Sequence, residues 1–401
     1  MTAPPTASQA LSAPVHQASF WEKLDVFPGL LSLVGTALYT AVAAPFRGES
    51  GAPYYGQHIS YAVVRKVGRV TPRIHPLSLK PSDGAKVQHA STAVSCADSR
   101  PQFSTHTPRY IGEPFSKVYE KWCKGAGIEP AFVTLKSGVK AFWVGDPKTA
   151  KYVCVYFHGG GFSLDGDDTH LNFWHSVQTD LNADNISTAF LFLEYSLVPH
   201  ATFPKPIYEA VESVKYVMEE LKRPASEIFL AGDSAGGNMC LGVLSQIMHP
   251  SPEFPELKLA DGEKLKGIVA VAPWVSFNLD WDSEKRNRYK DIVTHFAGGM
   301  WSRDYLAGKP STFFAEPFNA PADWWKDAKV EGILVTSGSN EVLVDSIGEF
   351  VKTYKSVNPD SMTYVIGTNE AHIAPIIQLR FGDKSETEQG KAIKSWLKSK
   401  L

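Results

Sequence analysis

The sequence predicts an α/β domain whose central sheet is mostly parallel and flanked by helices, and three observations point there. Apolar runs of strand length recur at 152–157, near Leu191, and at 228–231, 267–271, 332–337 and 362–367. Between two of them, Ile207, Val211, Val214, Val217, Met218 and Leu221 repeat at helical spacing until Pro224 stops the pattern. The residues suited to chemistry fall just past the ends of those runs, where open α/β sheets place their ligand crevice. No internal repeat or low-complexity tract interrupts the alternation.

In chain order, residues 1–50 stand apart. The stretch 27–46 is uncharged and mostly apolar, close to the ~20 residues that span a bilayer. Pro28, Gly29, Ser32, Gly35, Thr36, Thr40 and Pro45 dilute it. It reads either as a membrane anchor or interfacial helix, or as an apolar cap helix folded onto the domain. The basic stretch of a cleaved secretory signal does not precede it. Residues 51–133, with a short helix over 114–127, are expected to contribute to a cap or lid, and 134–401 to form the main domain. Within that domain, 277–327 breaks the alternation with Trp281, Phe296, Trp301, Phe313, Phe314, Trp324 and Trp325 among prolines and glycines. Such a composition suits a lid over an apolar pocket; the other reading is a satellite core on the flank. A closing helix is expected over 386–397.

The run at 228–231 leads into Gly232-Asp233-Ser234-Ala235-Gly236. A serine on a sharp strand-to-helix turn has its hydroxyl pushed clear of the sheet, and flanking glycines leave room for the tight backbone. The run at 152–157 ends in His158-Gly159-Gly160-Gly161-Phe162. A glycine run there lets backbone N–H groups approach a developing oxyanion. A serine nucleophile also needs a histidine to take its proton and a carboxylate to hold that histidine in the right tautomer. After 362–367 comes His372; His200, His249 and His295 lie in polar, proline-broken or strandless segments. After 332–337 come Glu341 and Asp345, either of which the residues allow as the acid, the other being a helix N-terminal or structural carboxylate.

These blocks resemble the hormone-sensitive-lipase branch of the α/β-hydrolases, which includes arylacetamide deacetylases and fungal steryl acetyl hydrolases. His158 to Phe162 is similar to its H-G-G-G-[FWY] motif, and Gly232 to Asn238 to G-D-S-A-G-G-N. Glu194-Tyr195-Ser196-Leu197-Val198-Pro199 resembles D-Y-R-L-A-P, and Ala272-Pro273-Trp274 resembles S-P-W. The likeness runs from about Val153 to Trp396. It implies an α/β-hydrolase catalytic domain over 134–401, with Ser234 as nucleophile and His372 as base. Gly160, Gly161 and Ala235 would be the oxyanion donors, supported by His158, Gly159 and Asp233. The family's acid opens a D-x-L-x-D pattern whose first position here is Glu341, which favours it over Asp345. Ile373 stands where the family commonly has a small or aromatic residue. Amino-terminal helices join the lid in that family.

A formal net charge of −2 and the lack of a basic run with interleaved aromatics argue against nucleic acid as a partner. Cys96, Cys123, Cys154 and Cys240 lack metal-ligand spacing and suggest no disulfide framework. The function expected is a serine-dependent carboxylic ester hydrolase or deacetylase. It would need no metal or organic cofactor and act on a small or medium apolar ester, plausibly an acetyl ester, of secondary, lipid or sterol metabolism. The same motifs fit an acyltransferase, cyclase or lyase of a biosynthetic route, or a non-catalytic ligand receptor. An intracellular setting is expected, either cytoplasmic or at the endoplasmic-reticulum membrane, and Asn185-Ile186-Ser187 is a glycosylation sequon whose use depends on that compartment.

Overall fold

The computed structural model describes residues 20–67 and 113–401. Cys96 and much of the expected 51–133 segment lie outside the described residues, as does the start of the 1–50 segment. Among the described residues, two helices come first, α1 (Phe20–Ala43) and α2 (Tyr55–Val67), which pack against each other. After α3 (Phe115–Ala126) the sheet begins with β1 (Ala131–Thr134), β2 (Lys140–Val144) and β3 (Tyr152–Phe157). Then follow α4 (Asp168–Ala183), β4 (Thr188–Glu194), α5 (Lys205–Glu219), β5 (Ile228–Asp233), α6 (Ala235–Met248) and β6 (Gly267–Val271). The insertion carries α7 (Asp282–Asn287) and α8 (His295–Leu306). The chain closes with β7 (Ile333–Gly338), α9 (Val344–Lys355), β8 (Met362–Gly367), α10 (Ala374–Arg380) and α11 (Glu388–Lys400).

The eight strands form one sheet in the order β1-β2-β4-β3-β5-β6-β7-β8, antiparallel at β1–β2 and β2–β4 and parallel from β4 onward. Strands β3, β5, β6 and β7 are buried along their whole length, which is why they read as unbroken apolar runs. The edge strand β8 is buried only at its two ends, with its middle partly exposed. Along β3 successive residues feed two cores. Val153, Val155 and Phe157 face the layer of α5, α6 and α9, and Tyr152, Cys154 and Tyr156 face that of α3, α4 and α11. Register pairs Phe157 with Gly232, Asp233 with Val271, Val271 with Thr336 and Gly338 with Gly367. The carboxyl ends of β3, β5, β6, β7 and β8 therefore form one continuous edge.

Every strand anticipated above is present, and the helix expected over 114–127 is α3. The antiparallel pair β1–β2 and helix α4 are additions. Asp167 caps α4, accepting the Thr169 N–H at 3.0 Å. Residues 27–43 are helical and 44–46 a 3-10 turn, but no helix among the described residues is long and apolar enough to cross a membrane. Leu31, Val34, Leu38 and Val42 nevertheless point outward from α1.

Candidate active site

Ser234 holds φ 54° and ψ −115° between β5 and α6. A non-glycine residue in that region carries strain on the order of 1–3 kcal/mol and persists only where its surroundings over-determine it. Here the Ser234 N–H donates to Val271 O at 2.9 Å, and its carbonyl accepts the Trp274 N–H at 2.9 Å. Asn238 ties the turn further, donating from Nδ2 to Trp274 O at 2.9 Å and Ala315 O at 2.8 Å. The glycines of the pentapeptide are sterically required. A Cβ on Gly236 would strike the Phe157 carbonyl, and one on Gly232 would strike Gly236.

The loop after β3 is braced from beneath. Asp233 Oδ1 accepts the Gly159 N–H at 3.0 Å and also bonds the Tyr156 hydroxyl. A Cβ on Gly159 would run into that carboxylate. Tyr195 donates its hydroxyl to His158 O at 2.9 Å, and its ring stacks on the His158 ring at 4.4 Å. Burial, followed by the neighbouring His170, pushes His158 down to about 4, so its neutral ring can donate from Nδ1 to Gly159 O at 2.7 Å. Gly160 (φ 108°) and Gly161 (φ 60°) then turn the chain, with Gly160 O accepting the N–H groups of Ser163 and Leu164. The N–H groups of Gly160, Gly161 and Ala235 have no acceptor among the described residues. Donors left unpaired beside a strained serine are what a developing oxyanion requires.

The insertion covers this loop with two of its aromatics. Trp301 lies where a Cβ on Gly161 would project, and Tyr305 stacks flat on Phe162 at 3.8 Å. Three others pack on the flank, with Phe314 and Trp324 against Phe254 and His249, and Trp325 against Phe350.

Glu341 and His372 meet at the far end of the same edge, Oε1 to Nδ1 at 2.7 Å, both buried. Glu341 Oε2 accepts the Gly338 N–H at 2.9 Å, so its longer side chain folds back onto its own turn. Burial lowers the His372 pKa, but the Glu341 carboxylate outweighs it, helped by Asp291 and Asp233, and the net shift is upward. Asp345 is not at the histidine. In the first turn of α9 it accepts the Ser283 N–H at 2.8 Å and pairs with Arg286 at 2.8 Å, anchoring α7. No hydrogen bond joins the Ser234 hydroxyl to His372 in this structure. Such bonds commonly tighten only once substrate is bound.

Of the other histidines, His249 meets Trp324 O at 2.7 Å and His295 pairs with Asp280 at the surface. Two residues escaped the sequence reading. Asp291, in the insertion, bonds the backbone of both catalytic-side loops, and His170 lies between Asp167 and Asp233. Asp291 carries no motif. His170 had one available signal, its place three residues after the helix-capping Asp167.

A family model described as alpha/beta hydrolase fold matches residues 154–373, more than half of the chain. The chain belongs to that family. Among curated proteins, the acetyl-hydrolase of Streptomyces hygroscopicus is 24% identical over 248 residues, covering 61% of this chain and 76% of that protein. Steryl acetyl hydrolase 1 of Saccharomyces cerevisiae is 24% identical over 216 residues, covering 49% of this chain and 46% of that protein. Among solved structures, an esterase from the bacterial hormone-sensitive lipase family superposes with a TM-score of 0.57 at 23% identity. It covers 75% of this chain and 93% of its own, a likeness of fold.

Proposed function

We propose that the protein is a carboxylic ester hydrolase that works through an acyl-enzyme on Ser234. The observation that carries this reading is the Glu341–His372 pair at 2.7 Å on the same sheet edge as a serine held at φ 54°. Ser234 Oγ attacks the ester carbonyl carbon while His372 takes its proton, and Glu341 steadies the resulting imidazolium. The N–H groups of Gly160, Gly161 and Ala235 receive the oxyanion. Collapse expels the alcohol with the proton from His372, and water activated by the same imidazole then releases the acid. The names of the acetyl-hydrolase and steryl acetyl hydrolase, together with the aromatic cover of Trp301 and Tyr305, support a small or medium apolar ester, plausibly an acetyl ester. The amino-terminal helices α1 and α2 and the Trp301–Tyr305 part of the insertion act as its cap. Purified Ser234→Ala should lose hydrolysis of short p-nitrophenyl esters with an unchanged circular-dichroism spectrum. Turnover comparable to the parent enzyme would reject the assignment.

A further inference from the structure

Asp291 stands between α7 and α8 and is fully buried. Its Oδ2 accepts the Val342 N–H at 2.7 Å, while Oδ1 accepts those of Ile292 at 2.7 Å and His372 at 3.0 Å. Val342 directly follows Glu341, so a single side chain grips the loop after β7 beside the acid and the loop after β8 at the base itself. The strands fix where these loops start; the register of the sheet does not fix how far apart their tips stand. We infer that Asp291 is a positioning residue for ester hydrolysis, bridging the two loops so that Glu341 and His372 keep their spacing. This rests on the roles of Ser234, Glu341 and His372 proposed above.

The bridge is itself clamped. Arg65 of α2 donates from Nη1 to the carbonyls of Asp291 at 2.7 Å and Tyr289 at 3.2 Å. Asn287 of α7 donates from Nδ2 to Glu341 O at 2.9 Å and Ser339 O at 3.0 Å. The insertion thus holds the acid loop by backbone contacts on both sides of Glu341. Burial pushes the Asp291 carboxyl up to about 6, and Glu341 adds to this, against the pull of His372 and the two N–H donors. Placing a second anion here costs stability. It also favours the proton on an imidazole that must become cationic during turnover. The other groups facing the pair are Tyr61 and Arg65 of α2, Asp233 beside the elbow, and Glu370 and Asp383, which lie close to Tyr61.

The test uses the full chain and p-nitrophenyl acetate. Asp291→Asn removes the charge and can set an amide donor against the Val342 N–H. We expect kcat to fall about 10- to 100-fold while KM changes by less than about twofold. The acid limb of kcat/KM should move to lower pH, because one anion holding the His372 proton is gone. Asp291→Glu keeps the charge but displaces it, so its acid limb should stay near the parent position while kcat falls. A folded Asp291→Asn enzyme with an unmoved acid limb overturns the inference. If that variant does not fold, an Asp291→Glu enzyme with the parent kcat overturns it. Loss of fold in both variants overturns it too, since the carboxylate would then support the domain as a whole. All these outcomes leave Ser234→Ala inactive, whereas Ser234→Ala with full turnover would remove the underlying reading instead.

Discussion

Two buried histidines, His372 and His170, each sit among carboxylates, and the difference between them separates the proposed base from a fixed cation. His372 gives Nδ1 to Glu341, and its Nε2 has no hydrogen-bond partner among the described residues. His170 has both ring nitrogens occupied, Nδ1 by Asp167 at 2.9 Å and Nε2 by Asp233 at 3.7 Å. Burial works against charge on His170, but Asp167 and Asp233 prevail and lift it to about 10. It therefore stays protonated at neutral pH and, against the burial penalty, helps hold Asp233 below the usual carboxylate range. Asp233 in turn braces Gly159 and Tyr156 under the oxyanion loop. An imidazole enclosed on both sides serves architecture; one with a nitrogen left over can exchange a proton with substrate.

The contrast breaks most sharply at the acid. Glu341→Gln should lower kcat by about 10³- to 10⁴-fold with the fold retained, and a loss below tenfold would mean that Glu341 is not the orienting carboxylate. His170→Gln should act on stability instead. Removing the cation leaves Asp233 buried without it and Asp167 with Arg380 as its remaining cation, costing about 3–5 kcal/mol, readable as a drop in the urea midpoint. An unchanged midpoint would erase the structural half of the comparison.

Acidity sharpens the same distinction. The raised His372 pKa places the acid limb of kcat/KM above 6.5, the ordinary histidine value, and a limb below 6.5 would contradict the Glu341 coupling. The raised His170 pKa stabilises the fold fully below 6.5, the unfolded value, and that contribution is lost as pH rises through about 10. The melting temperature should therefore fall between pH 7 and 10, less steeply in His170→Gln. The smallest change is expected at Tyr305, whose buried hydroxyl has no hydrogen-bond partner among the described residues. Tyr305→Phe should match the parent or be up to about 1 kcal/mol more stable, and a marked loss would reveal a contact made by that hydroxyl.

The parallel strands are legible in the sequence because burial on both faces leaves no polar alternation to blur them. The pair β1–β2 escapes because its strands are only four and five residues long and β1 is partly exposed. Ser234 is legible because its glycines answer to steric collisions that few other residues tolerate. Spacing alone leaves Glu341 and Asp345 equal; the structure parts them, one before α9 and the other inside its first turn. Asp291 is illegible because its partners are backbone groups 51 and 81 positions along the chain. A lone aspartate in an irregular segment announces no such reach.

The Trp301 indole occupies the space that any side chain at Gly161 would need. Randomising position 161 in a directed-evolution library while keeping the tryptophan would sample almost nothing but glycine. Paired with smaller choices at 301, the same library opens side chains at 161 that the indole now excludes, so these two distant codons are best varied as one unit.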